Sequence, residues 1–375
     1  MKDMFFIGPF NADLNLTNAC NLACSHCHSS SGKSISGELD TIEVMDAIYQ
    51  LYEIGVHTLT IAGGEPFVRP DIFDILSFAN NLSGLSVVVI TNGTKIFSND
   101  FIKKMATMSN VRINVSVDGS NYKIFNVYRR WKNDNSDSDE LFNKVVSNIK
   151  TGIKSDLDIG ISFVLSSHNM DDLRTAYKLM VDEIGTSSFT AIKFISTGYG
   201  EAMHGSMDFD YRSWANLMVS LHKEKQRGSL DKLFITTVSI WEIYLPLVDA
   251  DFDIQEIGEL WGLSPALHIP GYSSHHELGD VSGVMSVCID SNGDVYPSVL
   301  SIGSDYLCGN IKESPLRHIW NNSDVLNKIR KMTLLDISDK CTTCYIGDTC
   351  GGGFRFRQHD ISLPDTHCPR INGEG

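Results

Sequence analysis

The chain has 375 residues, 42% of them hydrophobic, with 31 Lys and Arg against 46 Asp and Glu and a formal net charge of −15. At about 150 residues per domain, this length accommodates two or three domains with sizeable cores. The acidic balance argues against a nucleic-acid backbone as the main partner, which would need a basic stripe. No run approaches the roughly 18 apolar residues of a membrane helix. The N-terminal MKDMFFIGPFNADLNLT turns polar too soon for a secretory signal, so a cytoplasmic enzyme is expected.

Between residues 10 and 225, strand-like and helix-like segments alternate. Strands are expected at Asp13–Leu16, His57–Ala62, Ser86–Thr91, Arg112–Val117, Asp158–Leu165 and Phe189–Ile195. Several are short apolar or β-branched runs, the pattern of buried parallel strands. Helical spacing of apolar residues marks Thr41–Ile54, Asp71–Ala79, Asn99–Met108, Glu140–Ile149 and Met170–Ile184. Six βα units of this kind predict an α/β fold, a partial (β/α)6 TIM-like barrel. The acidic stretch at 133–140 reads as a solvated loop.

Residues 226–280 read as a bridging region, partly helical at Trp241–Val248 and Ile254–Leu263, with a Pro/Gly/Ser/His-rich loop at His268–His276. From Val281 the pattern becomes strand, turn, strand, with Asn292-Gly293 as a hairpin signal. A single amphipathic helix is expected at Leu316–Met332. Residues 281–370 thus form a second, smaller α+β domain.

Nine cysteines fall at 20, 24, 27, 288, 308, 341, 344, 350 and 368. Clustering at both ends of a large acidic chain suits metal sites better than a disulfide framework. Cys20, Cys24 and Cys27 follow the first strand on a tight loop. Three thiolates can hold three irons of a four-iron cluster and leave the fourth open. Zinc is the alternative, with His26 or His28 as fourth ligand. Gly63-Gly64-Glu65-Pro66 follows the second strand, at the rim where such folds place their sites.

These residues resemble the radical S-adenosylmethionine superfamily. CNLACSHC matches its CxxxCxxC motif, and GGEP matches its second element. Thr91-Asn92-Gly93 and Ser116-Val117-Asp118-Gly119 match rim motifs on the third and fourth strands. The resemblance covers residues 10–225. It implies a [4Fe-4S] cluster on Cys20, Cys24 and Cys27, with S-adenosyl-L-methionine on the open iron. Backbone at Gly63 and Gly64, with Glu65, would receive the methionyl ammonium. Asn92, Ser116 and Asp118 would line the ribose or substrate side, although Asn92 can instead pin its own loop. His26 stands where many members carry an aromatic residue and would pack over the cluster. Lys193, charged within an apolar run, can reach the cofactor carboxylate or the substrate from the barrel mouth.

Cys341, Cys344, Cys350 and Cys368 give four thiolates, enough to close a [4Fe-4S] cluster or a zinc site. Gly-Asp-Val-Tyr-Pro at 293–297, Gly-Asn-Ile at 309–311 and Cys-Gly-Gly-Gly at 350–353 resemble the auxiliary-cluster domain called SPASM. The resemblance implies one intact auxiliary cluster on those four cysteines. A second would need cysteines where Ser298 and Phe354 stand. Cys288 and Cys308 then have three readings. They are inert thiols, or ligands of a remodelled cluster with His275 or His276, or hydrogen-atom donors to a substrate radical, as in an epimerase.

The remaining residues carry weaker signals. Asn169 with the acids at 171 and 172 reads as a helix cap. Tyr199 can line the substrate side. Arg129 and Arg130 match a region where relatives carry an arginine, without the usual preceding His-Asp pair. Arg355 and Arg357 make a basic spot beside Cys350. His268, His275, His276 and Asp280 can reach the active-site mouth from the bridge.

The resemblance implies hydrogen abstraction from a peptide, leading to crosslinking, oxidation or epimerisation. The alternative is a small molecule such as a sugar, an aminoglycoside or an amino acid. It also implies a reductant such as flavodoxin or ferredoxin. With the first cluster cysteine at position 20, no separate leader-binding domain is expected before the barrel. A precursor would dock on the barrel or C-terminal domain, or be presented by a separate recognition protein.

Overall fold

The structure is a computed structural model. It describes residues 8–95, 98–132, 138–263, 281–354, 356 and 360–373, without the side chain of residue 138. The expectations for Arg355, Arg357, His268, His275, His276 and Asp280 lie outside the described residues.

Among the described residues, ten strands form one sheet. They are β1 Asn11–Asn15, β2 Thr58–Ala62, β3 Ser86–Thr91, β4 Val111–Ser116, β5 Ile159–Leu165, β6 Ser188–Lys193, β7 Leu233–Thr236, β8 Ser286–Ile289, β9 Asp294–Tyr296 and β10 Gly309–Asn310. The order is β10-β9-β8-β1-β2-β3-β4-β5-β6-β7. Strands β1 to β7 run parallel to their neighbours. This is a partial barrel with helices outside, followed by a smaller C-terminal α+β part.

The six expected strands form within a residue or two of their sequence limits. Their cores are closed by side chains such as Leu14, Ile61, Val89, Val115, Phe163 and Ala191, all buried. A seventh parallel strand, β7, comes from the bridging region. At the other edge, β8 pairs parallel with β1, in register Asp13↔Cys288. The hairpin β8–β9 turns at Gly293, whose φ of 93° favours glycine. No helix among the described residues is long and apolar enough to cross a membrane.

Helix boundaries follow local chemistry. Helix Thr41–Glu53 starts in a capping box, where the Asp40 carboxylate accepts from Glu43 N and Glu43 reaches back to Asp40 N. The single helix expected at 316–332 is two, Leu316–Asn322 and Asp324–Lys331. Ser323 between them is extended, at φ −61° and ψ 126°. The polar run Asn321–Asp324 favours caps over helix interior, because short polar side chains compete for backbone hydrogen bonds. The run at 170–184 passes from a tight first turn through Leu173–Tyr177 into a widened π-helical stretch, Lys178–Ile184.

Candidate active site and auxiliary cysteine centre

The segment after β1 is held by an acid and a base reaching from elsewhere. Glu38 accepts from Thr17 Oγ1, Asn18 N and Ile35 N at 2.7–3.0 Å. Arg69 donates to the carbonyls of Leu16 and Leu39 while paired with Asp71 at 2.6 Å. Gly63 and Gly64 then pass close beneath this segment. A Cβ on Gly63, at φ 118°, would stand 2.5 Å from Thr17 O, and one on Gly64 would overlap Ala19 O. The two glycines are therefore required by the fold itself.

Cys20, Cys24 and Cys27 all line one cavity of about 380 Å³. Its wall collects the C-terminal ends of the parallel strands: Gly63 and Gly64 after β2, Thr91 and Asn92 at β3, Ser116 at β4, Lys193 at β6 and Thr236 at β7. Donors already point at the sulfurs. Leu22 N lies 3.5 Å from Cys20 Sγ, and Ser31 N lies 3.5 Å from Cys27 Sγ. Asn92 Nδ2 and Arg129 Nη1 stand 3.9 Å from Cys20 Sγ and Cys24 Sγ. Such hydrogen bonds tune the potential of a thiolate-bound centre.

Beneath the cavity lies a buried charge pair. Arg129 Nε donates to Asp118 Oδ2 at 2.5 Å, and His26 Nε2 approaches the same oxygen at 3.3 Å. Val164 N donates to Asp118 Oδ1 at 2.8 Å. Burial alone would raise the Asp118 carboxyl, but Arg129 and His26 outweigh it and hold it well below the usual carboxylate range. The His26 ring meets Tyr128 edge-on at 5.2 Å between centroids.

Several expected contacts take other tasks. Glu65 is fully buried: Oε1 accepts from Phe67 N and Thr91 Oγ1, and Oε2 accepts from Asn92 N. Its carboxylate braces the β2 and β3 loops and does not reach the cavity wall. Asp118 is likewise buried, anchors Arg129, and is not on the cavity wall. Asn92 and Ser116 do line the cavity, and Asn92 also ties Thr94 and Asn21. Lys193 lines it too, with its ammonium paired to Glu242 at 2.5 Å and 4.7 Å from the Trp214 ring centre.

Cys288 and Cys308 do not line this cavity. Cys288 is fully buried within β8, where burial pushes its thiol well up. Cys308 Sγ faces Tyr306 O at 3.5 Å. A hydrogen-atom donor must touch the substrate radical, and neither thiol is on the wall of this cavity. Ser298 caps its own turn at Leu300 N, and Phe354 is buried beside Phe356.

Sequence reasoning missed parts of the wall. Ser162, Thr236, Val238 and Leu300 line it, as does His28, which had been considered only as a zinc ligand. Ser162, a polar residue in the middle of the apolar run of β5, could have been flagged by that contrast. Thr236 required β7, and Leu300 required knowledge of how the C-terminal part folds over the barrel.

Cys341, Cys344, Cys350 and Cys368 line a second, small cavity, with Trp241, Leu245, Ile346 and Ile371 as apolar walls. The turn after Cys350 runs through Gly351, Gly352 and Gly353 at φ 60°, 83° and 81°, three successive left-handed residues. A Cβ on Gly347 would overlap Cys341 O. Asp365 anchors the far limb, accepting from Ser239 Oγ and from Trp241 Nε1 at 2.9 Å. Burial pushes Cys350 up to about 12 and Cys368 up to about 11. Bound metal displaces such protons.

The first cavity gathers three thiols and the second four, the donor type that iron–sulfur clusters use. His26 Nδ1, on the wall of the first cavity, is a buried ring nitrogen without a partner among the described residues.

Residues 14–180 match the family model of the Radical SAM superfamily, and residues 282–345 match SPASM, an iron-sulfur cluster-binding domain. The chain is a member of the radical SAM superfamily. It carries a C-terminal SPASM-like auxiliary domain, and the family implies four-iron clusters and S-adenosylmethionine. The chain is 26% identical over 339 residues to the AdoMet-dependent heme synthase of Methanosarcina barkeri, covering 90% of this chain and 88% of that protein. It is 27% identical over 375 residues to the mycofactocin maturase MftC of Mycobacterium tuberculosis, covering 98% and 84%. Among solved structures, Streptococcus suis SuiB bound to precursor peptide SuiA superposes with a TM-score of 0.75 at 17% identity, covering 97% of this chain and 76% of that one. That likeness establishes a shared fold.

Proposed function

We propose that this radical SAM enzyme abstracts a hydrogen atom from a peptide and so directs its crosslinking, oxidation or epimerisation. The observation that carries the reading is the convergence of Cys20, Cys24 and Cys27 with Gly63 and Gly64 on one cavity at the C-terminal ends of the parallel strands. Cys20, Cys24 and Cys27 would hold one [4Fe-4S] cluster, and Cys341, Cys344, Cys350 and Cys368 an auxiliary one. When bound, the first cluster and S-adenosylmethionine supply a reductive cleavage that yields methionine and a 5′-deoxyadenosyl radical.

The chain's own residues bind, orient and exclude water. Backbone at Gly63 and Gly64 offers polar groups with no side chain in the way. Ser116 and Asn92 present hydrogen-bonding groups on the wall, and Arg129 adds a positive charge beside Cys24. Ile192, Phe194, Ile195, Val238 and Leu300 make the opposite wall apolar, which keeps water from a reactive carbon radical.

The maturase name of MftC and the precursor peptide bound to SuiB support a peptide substrate. The heme synthase relative favours a second reading, a tetrapyrrole, since it matches over a similar length at similar identity. The test is anaerobic turnover with candidate substrates carrying deuterium at the target carbon. Deuterium in 5′-deoxyadenosine from a labelled peptide supports the first reading. Deuterium from a labelled porphyrin alone sinks it in favour of the second.

A further inference from the structure

We propose that a groove on the outer side of the first cysteine loop docks an acidic one-electron carrier protein, and that the electron enters past Cys20. The inference rests on the cluster reading above. The groove measures about 670 Å³ and is lined by Cys20, Trp131, Lys33, Lys132 and Lys144, with Glu140 as its acid. Among the described residues, Cys20 alone lines both this groove and the inner cavity. The loop is thus a thin wall between the reaction chamber and the surface, with a cluster ligand in it.

The lysines are held in place but not neutralised. Lys132 N donates to Asn21 O at 3.2 Å, and Trp131 bridges to Leu22. A Cβ on Gly32 would stand 3.4 Å from Lys132 Nζ, and Gly32 O accepts from Cys20 N at 2.9 Å. The Lys132 ammonium therefore sits one residue's breadth from the cluster ligand. Lys144 Nζ lies 5.3 Å from the Trp131 ring centre.

Lys33, Lys132 and Lys144 have no carboxylate partner among the described residues, whereas Lys104, Lys193, Lys312 and Lys328 each pair with an acid. Among the described residues, the basic groups at the other cysteine cavity are engaged: Lys340 donates to Ile371 O, and Arg370 pairs with Asp249. Among the described residues the groove carries three lysines against one glutamate, on a chain of net charge −15. It attracts an acidic partner and repels the rest of the acidic surface, which fixes orientation and speeds encounter.

The partner is a small acidic flavoprotein or iron–sulfur protein of low potential. One electron would leave its reduced centre and pass to the cluster that Cys20, Cys24 and Cys27 would hold. No bond forms or breaks, and no proton needs to move.

The experiment uses the cluster-replete full chain, with reduced flavodoxin as probe and stopped-flow absorbance as the readout of cluster reduction. Reduced methyl viologen, a small cationic reductant, is the control. The triple variant Lys33→Glu, Lys132→Glu, Lys144→Glu should slow reduction by flavodoxin about ten-fold or more at low salt. It should leave iron content and reduction by viologen unchanged. The corresponding triple Lys→Arg variant should keep the wild-type rate. Added salt should slow the wild type and spare the charge-reversed variant.

Equal flavodoxin rates in wild type and the reversed variant would overturn the proposal. So would equal slowing with both reductants, or slowing only in Lys340→Glu. If flavodoxin reduces the cluster in the charge-dependent way but reduced protein does not cleave S-adenosylmethionine, the docking surface stands and the functional reading fails.

Discussion

Two aspartates, Asp118 fully buried and Asp13 half-buried, give opposite predictions. Asp118 is fully buried and pairs with Arg129, so removing its charge leaves a buried guanidinium uncompensated. Asp118→Asn should cost about 3–5 kcal/mol in urea unfolding at pH 7, and adding Arg129→Gln should recover part of it. Its folded pKa lies below its unfolded value, so the stabilisation is present above about pH 4 and lost as pH falls below that. The deficit of Asp118→Asn should shrink on acidification. Asp13 behaves the other way: burial raises it to about 6, against a hydrogen bond from Thr60 that lowers it. Its contribution is fully present below its unfolded value of about 3.9 and is lost as pH rises through 6. Asp13→Asn should be about 1–2 kcal/mol more stable than wild type at pH 8, discounted for partial exposure, and equal to it near pH 3.5. The cysteine and glycine motifs were legible because thiol spacing and Gly-Gly are local signals. The Asp118–Arg129–His26 network and the inward turn of Glu65 were not, because burial and distant partners decide them.

At the level of elements, the strands were readable because a parallel strand covered on both faces is a short apolar run. β7 was missed for the converse reason. Leu233–Thr236 has four residues, alternates buried and exposed, and shows Phe234 to solvent. It is recruited by the free edge of β6 more than by its own pattern. The helix break at Ser323 was written in the polar run Asn321–Asp324 and was outweighed by apolar spacing on either side. The loops behave differently from the strands, since their geometry depends on absent side chains. Gly64→Ala and Gly347→Ala each force a Cβ into a carbonyl oxygen. Each should lower stability by about 1–3 kcal/mol, the usual range for overpacking. They should differ in what iron they lose. Gly64→Ala should deplete the first centre, and Gly347→Ala the auxiliary one. Iron and sulfide analysis of reconstituted protein, with spectra of each centre, checks the distinction. Equal loss of both centres would mean that the substitutions act on global folding.

For the whole molecule, the decisive fact is that one sheet runs through both parts. β1 is flanked by β2 on one side and by β8 on the other. The seam is reinforced away from the ladder. Asn15 Nδ2 donates to Asp290 Oδ1 at 3.0 Å, Leu39 N to Ser291 O at 2.7 Å, and Arg317 Nη2 to Glu53 O at 2.7 Å. Leu316 N is received by Gln50 Oε1 at 2.6 Å, so the C-terminal helix Leu316–Asn322 is capped by a residue of helix Thr41–Glu53. Ala12, Leu14, Val287 and Ile289 share one core with the barrel. A linker-joined pair of domains would unfold in separate steps, whereas a continuous sheet and core must unfold together. Calorimetry should therefore give one transition with calorimetric and van't Hoff enthalpies in agreement. A chain truncated after residue 280 would bare the β1 edge and the apolar groups facing β8. An exposed edge of that kind templates aggregation. The truncated chain should be insoluble, or elute as aggregate in size-exclusion chromatography, while still retaining Cys20, Cys24 and Cys27. A soluble monomer with one cooperative transition would show instead that the barrel folds alone, and that β8 joins it only afterwards.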